Sequence, residues 1–504
     1  MAYIKSYPNQ NYLIPPKITD LFSENHVCYL IQQIAEEMDY SEFDTKYAGP
    51  GHPAYHPRIS LKLLLMAYVD GIRSSRKIAK NACENVVYIF LAEKTNPDFR
   101  TISFFRKANP NLVKDVFKKV NTFALEHGLI DLSQLMIDGT IIKADTNDKH
   151  VIDRKVLDKL DKHIDRWIDM GIATDEAEDK LYGDRGIHEL PDDLKDPYKR
   201  RKIVKKMVDE INKAIKEGKK EKVKEVRDDI EDLKKFMDAK GIKLMSLTDK
   251  DARFMLNKKG KVELSYNAQL VVDKNGFILS NDVVNECDDR HQLVPNINHV
   301  EQDFGLLPKG TIVNADAGYD NGEALEELEA RGFDLYVPGK NVDTQHDEKK
   351  KFAKANFKYD EEKDTYICPE NQHLTNRGTN YYKPQNQWRT TYAISKRICD
   401  TCPNKITCCK KATSRSIITV PGDKIAYRIK EKLRTPEGKA IYKIRKQTVE
   451  CRFGDVKENK KFRSFLLRGL QRVKTEWNLV TTASNLVIIN NLLKGRIGIP
   501  APQC

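Results

Sequence analysis

Two short runs of β-branched and apolar residues constrain this chain more than anything else in it. They are Leu135-Met-Ile-Asp-Gly-Thr-Ile-Ile-Lys-Ala144 and Gly310-Thr-Ile-Val-Asn-Ala-Asp-Ala-Gly-Tyr-Asp320. Each interrupts a helical period with strand-like composition, and the first is read as two short strands with a turn near Gly139. The second is read as a buried strand ending in Asp316, followed by a helix signature from Asn321 to Ala330 and a further strand from Phe333 to Val337. Strand, helix, strand is an α/β layer, in which reactive groups commonly lie at the carboxyl ends of the strands. Lys261 to Asp273 and Gly276 to Ser280 add a hairpin through Lys274-Asn-Gly.

Around these strands the period is helical. Residues 1 to about 130 hold an amphipathic run from His26 to Met38 with Val27, Leu30, Ile31 and Ile34 on one stripe, a more apolar helix from Ile59 to Val69 after Pro57, and another around Val86 to Leu91. Arg73, Arg76, Lys77 and Lys80 lie between them. They are either a DNA-binding face or the solvated basic face of a helical domain, and the pattern does not choose.

From about 150 to 245 the spacing of Ile203, Met207, Ile211 and Ile215, then Val223, Val226, Ile230, Leu233 and Met237, predicts a charged helical hairpin inserted between strands. With 15 Lys or Arg against 10 Asp or Glu from Pro197 to Asp238, a solvated hairpin is the simpler reading. Residues 341–420 are polar, turn-rich and punctuated by cysteine, and after Pro436 the chain is helical to Leu493. The expected units are a helical domain at 1–130, a core at 131–340 with its insertion at 150–245, a cysteine-containing insertion at 341–420, and a helical completion of the core at 421–495.

At 504 residues the chain exceeds what one hydrophobic core usually serves, and its formal net charge is +13. That bias favours a polyanionic partner, although charge alone does not separate a nucleic-acid enzyme from a ribosome-associated or membrane-surface protein. No apolar stretch approaches membrane-spanning length and the first residues lack a signal-like segment, so a cytoplasmic location is expected. Ten cysteines, five of them between Cys368 and Cys409, fit a reducing compartment with one local metal site better than a disulfide framework.

Three acids carry the chemical reading: Asp138 and Asp316 on strands, and Glu450 in a basic helical segment. If they meet, their carboxylates suit two divalent cations about 4 Å apart. Small neighbours, Gly139 and Ala317-Gly318, would let a bulky phosphodiester approach. Lys446, Glu450 and Lys457 fall near one helical face if Gly454 does not break it, and residues 423–474 hold 17 Lys or Arg against 6 Asp or Glu. The plainer alternative is an ordinary helical salt bridge between Glu450 and Lys446. Asp145, Asp148 and Asp320 compete as ligands, while Asp288 and Asp289 are candidates to support the site. In the cysteine segment, Cys399-Asp-Thr-Cys402 with Cys408 and Cys368 suits a structural zinc; the adjacent Cys409 leaves the ligand set open, and reduced cysteines packed beneath the insertion are the alternative.

Several longer motifs then bear on identity. Tyr47-Ala-Gly-Pro-Gly-His-Pro, Asp70-Gly-Ile-Arg-Ser-Ser-Arg-Lys, Ile137-Asp-Gly-Thr-Ile-Ile-Lys-Ala, Ser265-Tyr-Asn-Ala-Gln, Asn314-Ala-Asp-Ala-Gly-Tyr and Thr448-Val-Glu-Cys-Arg-Phe-Gly-Asp-Val-Lys together resemble a bacterial insertion-sequence transposase of the DDE superfamily, IS1182-type within the IS4/IS5-like group. The resemblance implies an α/β, RNase H-like catalytic core in which Asp138, Asp316 and Glu450 are the first, second and third catalytic acids. It makes Tyr442, Arg445, Glu450 and Lys457 the signature around the third acid. Relative to the common pattern of that family there is one extra residue between Arg445 and Glu450, so Arg445 and Lys446 both stand for the phosphate-facing role. It also implies two Mg²⁺ ions with Mn²⁺ as substitute, double-stranded terminal inverted repeats and target DNA as substrates, a homodimer or higher synaptic complex, no membrane, and a nucleoid-associated place in the bacterial cytoplasm. The rival is a catalytically inactive or domesticated DNA-binding descendant.

Overall fold

The computed structural model describes residues 17–47, 54–146, 151–159, 161–162, 220–258, 260–339, 351–385, 387–409 and 412–493. Seven helices come first: α1 Val27–Glu36, α2 Ser41–Tyr47, α3 Pro57–Val69, α4 Ser75–Glu84, α5 Val86–Leu91, α6 Phe99–Ala108 and α7 Pro110–Glu126. Pro57 opens α3 because its missing N–H is one the first turn leaves unbonded anyway. His56 Nδ1 accepts the Arg58 N–H at 3.2 Å to complete that cap.

The central sheet contains β1 Gln134–Lys143, β4 Arg253–Leu256, β5 Val262–Asp273, β6 Ile278–Val284, β7 Ile312–Asn314 and β8 Asp334–Tyr336; the short β2 Val151–Asp153 and β3 Leu244–Ser246 pair apart from it. β5 runs antiparallel to β1 on one edge and to β4 and β6 on the other, while β1, β7 and β8 are mutually parallel. The expected hairpin is present as β5 and β6. The expected turn at Gly139 is not: β1 is one continuous strand, with Asp138 opposite Leu270 and Gly139 opposite Gln269. Glycine inside a strand here reflects crowding rather than reversal.

Three more helices matter to the core: α8 Lys220–Ala239, α9 Leu293–Phe304 and α10 Gly322–Ala330. Ile230 and Met237 of α8 are buried one heptad apart, as the spacing predicts. Ile203, Met207, Ile211 and Ile215 of the expected hairpin lie outside the described residues.

A second sheet follows, in the order β13-β12-β11-β10-β9. Its strands are β9 Lys358–Asp360, β10 Thr365–Ile367, β11 His373–Tyr382, β12 Gln387–Ala393 and β13 Ser416–Thr419, and it has its own small core around Phe357, Tyr366, Leu374 and Tyr392. The chain then enters α11 Asp423–Arg434, α12 Pro436–Gly454 and α13 Leu470–Leu493. α11 joins the second sheet to the first layer: Lys424 pairs with Asp364 at 2.9 Å, and Arg428 bridges Glu329 of α10 and Glu361. At this junction Gly322 and Gly422 touch, and a Cβ on Gly422 would lie 2.0 Å from the Gly322 Cα.

α13 is buried on nearly every side, which explains its lack of a polar stripe. Its hydroxyls fold back on their own helix, Thr481 onto the Trp477 carbonyl at 2.9 Å, and Asn485 bonds Asn121 of α7 and the backbone of Ile278. One hydrophobic cluster runs from Val27 through the sheet to Leu493, so the described N-terminal helices share a core with the strands and α13. Arg73, read from sequence as part of a basic face, is instead mostly buried: it pairs with the fully buried Glu476 of α13 and lies over the Phe462 ring at 4.1 Å. Among the described residues no helix is long and apolar enough to cross a membrane.

Candidate active site

Asp138 sits midway along β1, nearly buried, where the sheet backbone holds it firmly. Asp316 follows β7 by two residues and caps a short helical turn, its Oδ1 accepting the Gly318 N–H at 2.7 Å. Glu450 projects from α12 with its side chain 45% exposed. These three acids, far apart in sequence, line one open cleft of about 290 Å³ together with Asp289, Arg445, Lys258, Asn267 and Thr140.

Arg445 is the cation that pairs with the acids. Its guanidinium lies 3.2 Å from Asp138 Oδ2 and 3.6 Å from Glu450 Oε1, and 5.6 Å from the centre of the Tyr442 ring. Glu450 therefore pairs with Arg445, not with Lys446 as the salt-bridge alternative required. Lys446 is exposed and is not among the cleft-lining residues, so of the two candidates for a phosphate-facing role it is Arg445 that enters the cleft. α12 does not stop at Gly454; it widens into a π-helical turn over Asp455–Asn459. That turn carries Lys457 inward, where its Nζ donates to Thr140 Oγ1 at 2.5 Å, two residues along β1 from Asp138.

Beneath the acids lies a polar network that the motif Ser265-Tyr-Asn-Ala-Gln foreshadowed only as a motif. Asn267 and Gln269, on one face of β5, donate to Asp289 Oδ1 at 2.7 and 2.6 Å, and Gln269 Oε1 accepts from Asn296 at 3.1 Å and from the buried Tyr319 hydroxyl. A polar i, i+2 pair demands partners when the strand that carries it is buried, as β5 is from Leu264 to Asp273. Gly139 is small for their sake: a Cβ there would lie 2.5 Å from Gln269 Nε2 and 2.6 Å from Asp289 Oδ1. A side chain at this position would run into the network, while Gly139 itself lines the open cleft. Gly139→Ala is expected to lower stability by about 1–3 kcal/mol through this overpacking, measured as a shift of the urea unfolding midpoint; an unchanged midpoint would contradict the crowding.

Of the competing acids, Asp145 is taken by Arg468 at 2.9 Å and, like Asp320, is not a cleft-lining residue. Asp148 lies outside the described residues. Asp288 is exposed and receives the Arg290 N–H, whereas Asp289 enters the cleft. Burial pushes the Asp138 carboxyl up to about 6, Arg445 opposing and Asp316 adding to the rise. Burial also raises Asp289, with Asp316 again contributing. Such crowding of carboxylates is relieved by a cation.

The donor set is all oxygen, which is what hard divalent cations take. Among the described residues no three His, Cys, Asp or Glu side chains stand close enough together to hold one ion. Arg445, paired to both Asp138 and Glu450, supplies the positive charge between them. The chemistry of the residues fits divalent ions, with the acids needing to draw together around them.

The cysteines also gather. Cys368, Cys399, Cys402, Cys408 and Cys409 line one small pocket with Leu374, Ile394 and Arg415, and none is in a disulfide. Backbone N–H groups of Gln372 and Arg415 point at the sulfurs of Cys368 and Cys399 at 3.3 and 3.5 Å. Burial raises the thiols of Cys399, Cys408 and Cys409.

Fold and cleft together define a mixed α/β protein with an acid-lined, cation-balanced site on one sheet. Two family models match the chain: one described as Transposase DDE domain, over residues 367–489, and one described as Transposase domain (DUF772), over residues 16–108. The first contains Glu450, Arg445 and the five clustered cysteines but neither Asp138 nor Asp316. No curated protein matches. Both matched domains are transposase domains, one of the DDE type, and their pairing fits the IS1182 group.

Proposed function

We propose that this transposase cuts DNA at the terminal inverted repeats of its element and joins the freed ends to target DNA, using Asp138, Asp316 and Glu450 as its catalytic acids. The observation that carries the reading is that these three line one cleft with Arg445 between two of them. The strand order β6-β5-β1-β7-β8, with β5 antiparallel to both of its neighbours and β1, β7 and β8 parallel, supports an RNase H-like core.

The three acids would hold two Mg²⁺ ions, with Mn²⁺ a substitute of similar preference for oxygen. When bound, such ions activate the attacking oxygen and stabilise the departing 3′ oxygen. The remaining work falls to the protein. Arg445 in the cleft, Lys258 at its exposed rim and Lys457 held against Thr140 neutralise phosphate charge, and Tyr442 keeps the Arg445 guanidinium in place. Water first breaks a phosphodiester at the element end, leaving a 3′ hydroxyl and a 5′ phosphate. That hydroxyl then attacks a target phosphodiester and displaces the target's own 3′ oxygen. Lys446, exposed one helical turn before Glu450, follows the DNA backbone outside the cleft. Two element ends must be held at once, so a dimer or larger complex on DNA is required, in the nucleoid-containing cytoplasm of a bacterium.

The test is to incubate the purified chain, in Mg²⁺, with a duplex carrying the inverted repeats that flank its gene. New 3′ hydroxyl ends at the repeat boundary are expected. Binding without cleavage in Mg²⁺ or Mn²⁺ would replace this reading with that of a DNA-binding descendant.

For the cysteine pocket we infer a structural zinc on Cys399, Cys402, Cys368 and either Cys408 or Cys409, with the thiols needing to draw together around it. Support comes from the five thiols lining one pocket and from the N–H groups aimed at two of the sulfurs, which would stabilise thiolates. The purified chain is expected to carry about one zinc, and Cys399→Ser to lose it and to lower the temperature at which the second sheet melts. A chain free of zinc after growth and purification in zinc-supplemented medium would end this assignment.

A further inference from the structure

Resting on the DNA-transposase reading, we infer that the outer part of the β11–β12 hairpin is a two-stranded ribbon that grips duplex DNA in its groove. β11 pairs with β10 only at its start, through Thr365–Thr375, and β12 pairs with β13 only from Thr390 onward. Between these limits, Thr379–Tyr382 and Gln387–Thr390 bond to each other beyond the body of the second sheet. In β11 only Leu374 is buried. An isolated ribbon of this length is marginal in water, so aromatic cross-strand contacts are needed to hold it. Tyr381 and Trp388 face each other directly with ring centres 5.3 Å apart, and the Arg389 guanidinium lies 3.7 Å over the Tyr382 ring.

Those contacts explain the shape of the ribbon but not its surface. Trp388 remains 54% exposed, Tyr381 45% and Tyr382 39%, a concentration of aromatic area that a chain serving only itself has reason to bury. The charge is equally one-sided. From Asn371 to Cys399 there are five Lys or Arg, namely Arg377, Lys383, Arg389, Lys396 and Arg397, and no Asp or Glu at all, in a chain that elsewhere mixes its signs. Arg377 stands at a bulge beside Gly378, whose φ of +115° bends the strand at the base of the projecting part. A basic, acid-free surface complements polyanionic backbone, and the major groove of a duplex admits a two-stranded β-ribbon.

Duplex is favoured over single-stranded DNA by the ring geometry. Base stacking needs open aromatic faces, whereas the Tyr382 face is covered by Arg389 and Trp388 meets Tyr381 edge to face. The ribbon is also tied to the active helix. Asp364, in the turn before β10, pairs with Lys424 of α11, and α11 leads directly into α12 and Glu450.

The experiment is fluorescence anisotropy of a labelled short duplex of arbitrary sequence, and of its single strand, titrated with the full chain over a range of salt. Arg377→Glu with Lys383→Glu is expected to weaken duplex binding about tenfold or more at low salt and to reduce the salt slope by about 2. Tyr381→Ala with Trp388→Ala is expected to weaken it several-fold with the slope unchanged. Both sites are exposed, and an unchanged melting temperature checks that folding is intact. If both variants bind duplex like the original chain, the ribbon assignment fails while the DNA reading stands. If the losses appear only with the single strand, the commitment to duplex is wrong. If the original chain binds neither probe, the DNA reading itself fails.

Discussion

Asp316→Ala and Glu450→Gln are each expected to leave a folded protein whose strand cleavage is slower by at least about 10³-fold, because metal stabilisation of the transferring phosphoryl group is worth several kcal/mol. Folding should survive for reasons visible in the cleft. The Asp316 carboxylate bonds one backbone N–H of a short turn, a cap worth about 1 kcal/mol. Glu450 is half exposed, and its one ion pair among the described residues is with Arg445 at 3.6 Å. Asp145→Ala is the contrasting case, since that acid is engaged by Arg468 and does not line the cleft, and it should cut normally. Cleavage of a repeat-bearing duplex, with binding and circular dichroism measured in parallel, separates these results. Residual cutting within tenfold of the original for either cleft variant would remove that acid from the mechanism.

The second large effect is on stability. Glu476 is fully buried in α13, and its carboxylate accepts from Arg73, from the Leu466 and Leu467 N–H groups at 2.8 and 3.1 Å, and from Tyr68 at 3.4 Å. Removing it takes the carboxylate from a guanidinium only 11% exposed, which keeps the Ser464 carbonyl and the Phe462 ring, and strands two backbone donors. Breaking a buried pair by deleting one partner costs about 3–5 kcal/mol. Glu476→Ala should therefore lower the first urea transition markedly and speed amide exchange at Leu466 and Leu467, while Glu476→Gln, which keeps an acceptor, should cost less. A loss under about 1 kcal/mol would mean that the pair is not the link between the N-terminal helices and α13 that its burial implies.

This pair also shows why the first helices were misread in part. A run of Arg73, Arg76, Lys77 and Lys80 looks basic from any single sequence, and nothing local says that Arg73 has a carboxylate waiting some four hundred residues later. Similar reasoning applies to Gly139. Glycine between two β-branched runs is a fair turn signal, yet the side chains that require its small size, Gln269 and Asp289, come from elsewhere in the fold. Lys457 was placed near Glu450 by helical spacing, but its inward path depends on a π-helical turn that spacing does not encode.

What the sequence determined by itself was local. Alternation and β-branching located β5, β6, β7 and β8, Pro57 and Asn321 marked helix starts, and strand-borne acids beside small residues nominated Asp138 and Asp316. These signals work because backbone sterics and side-chain period act over a few residues. Tertiary structure alone decided which charges face one another: Arg445 rather than Lys446 beside Glu450, Asp289 rather than Asp288 in the cleft, and Arg73 in the core. Electrostatic partners are chosen by distance in space and by loss of water, and neither quantity exists until the strands and helices have packed.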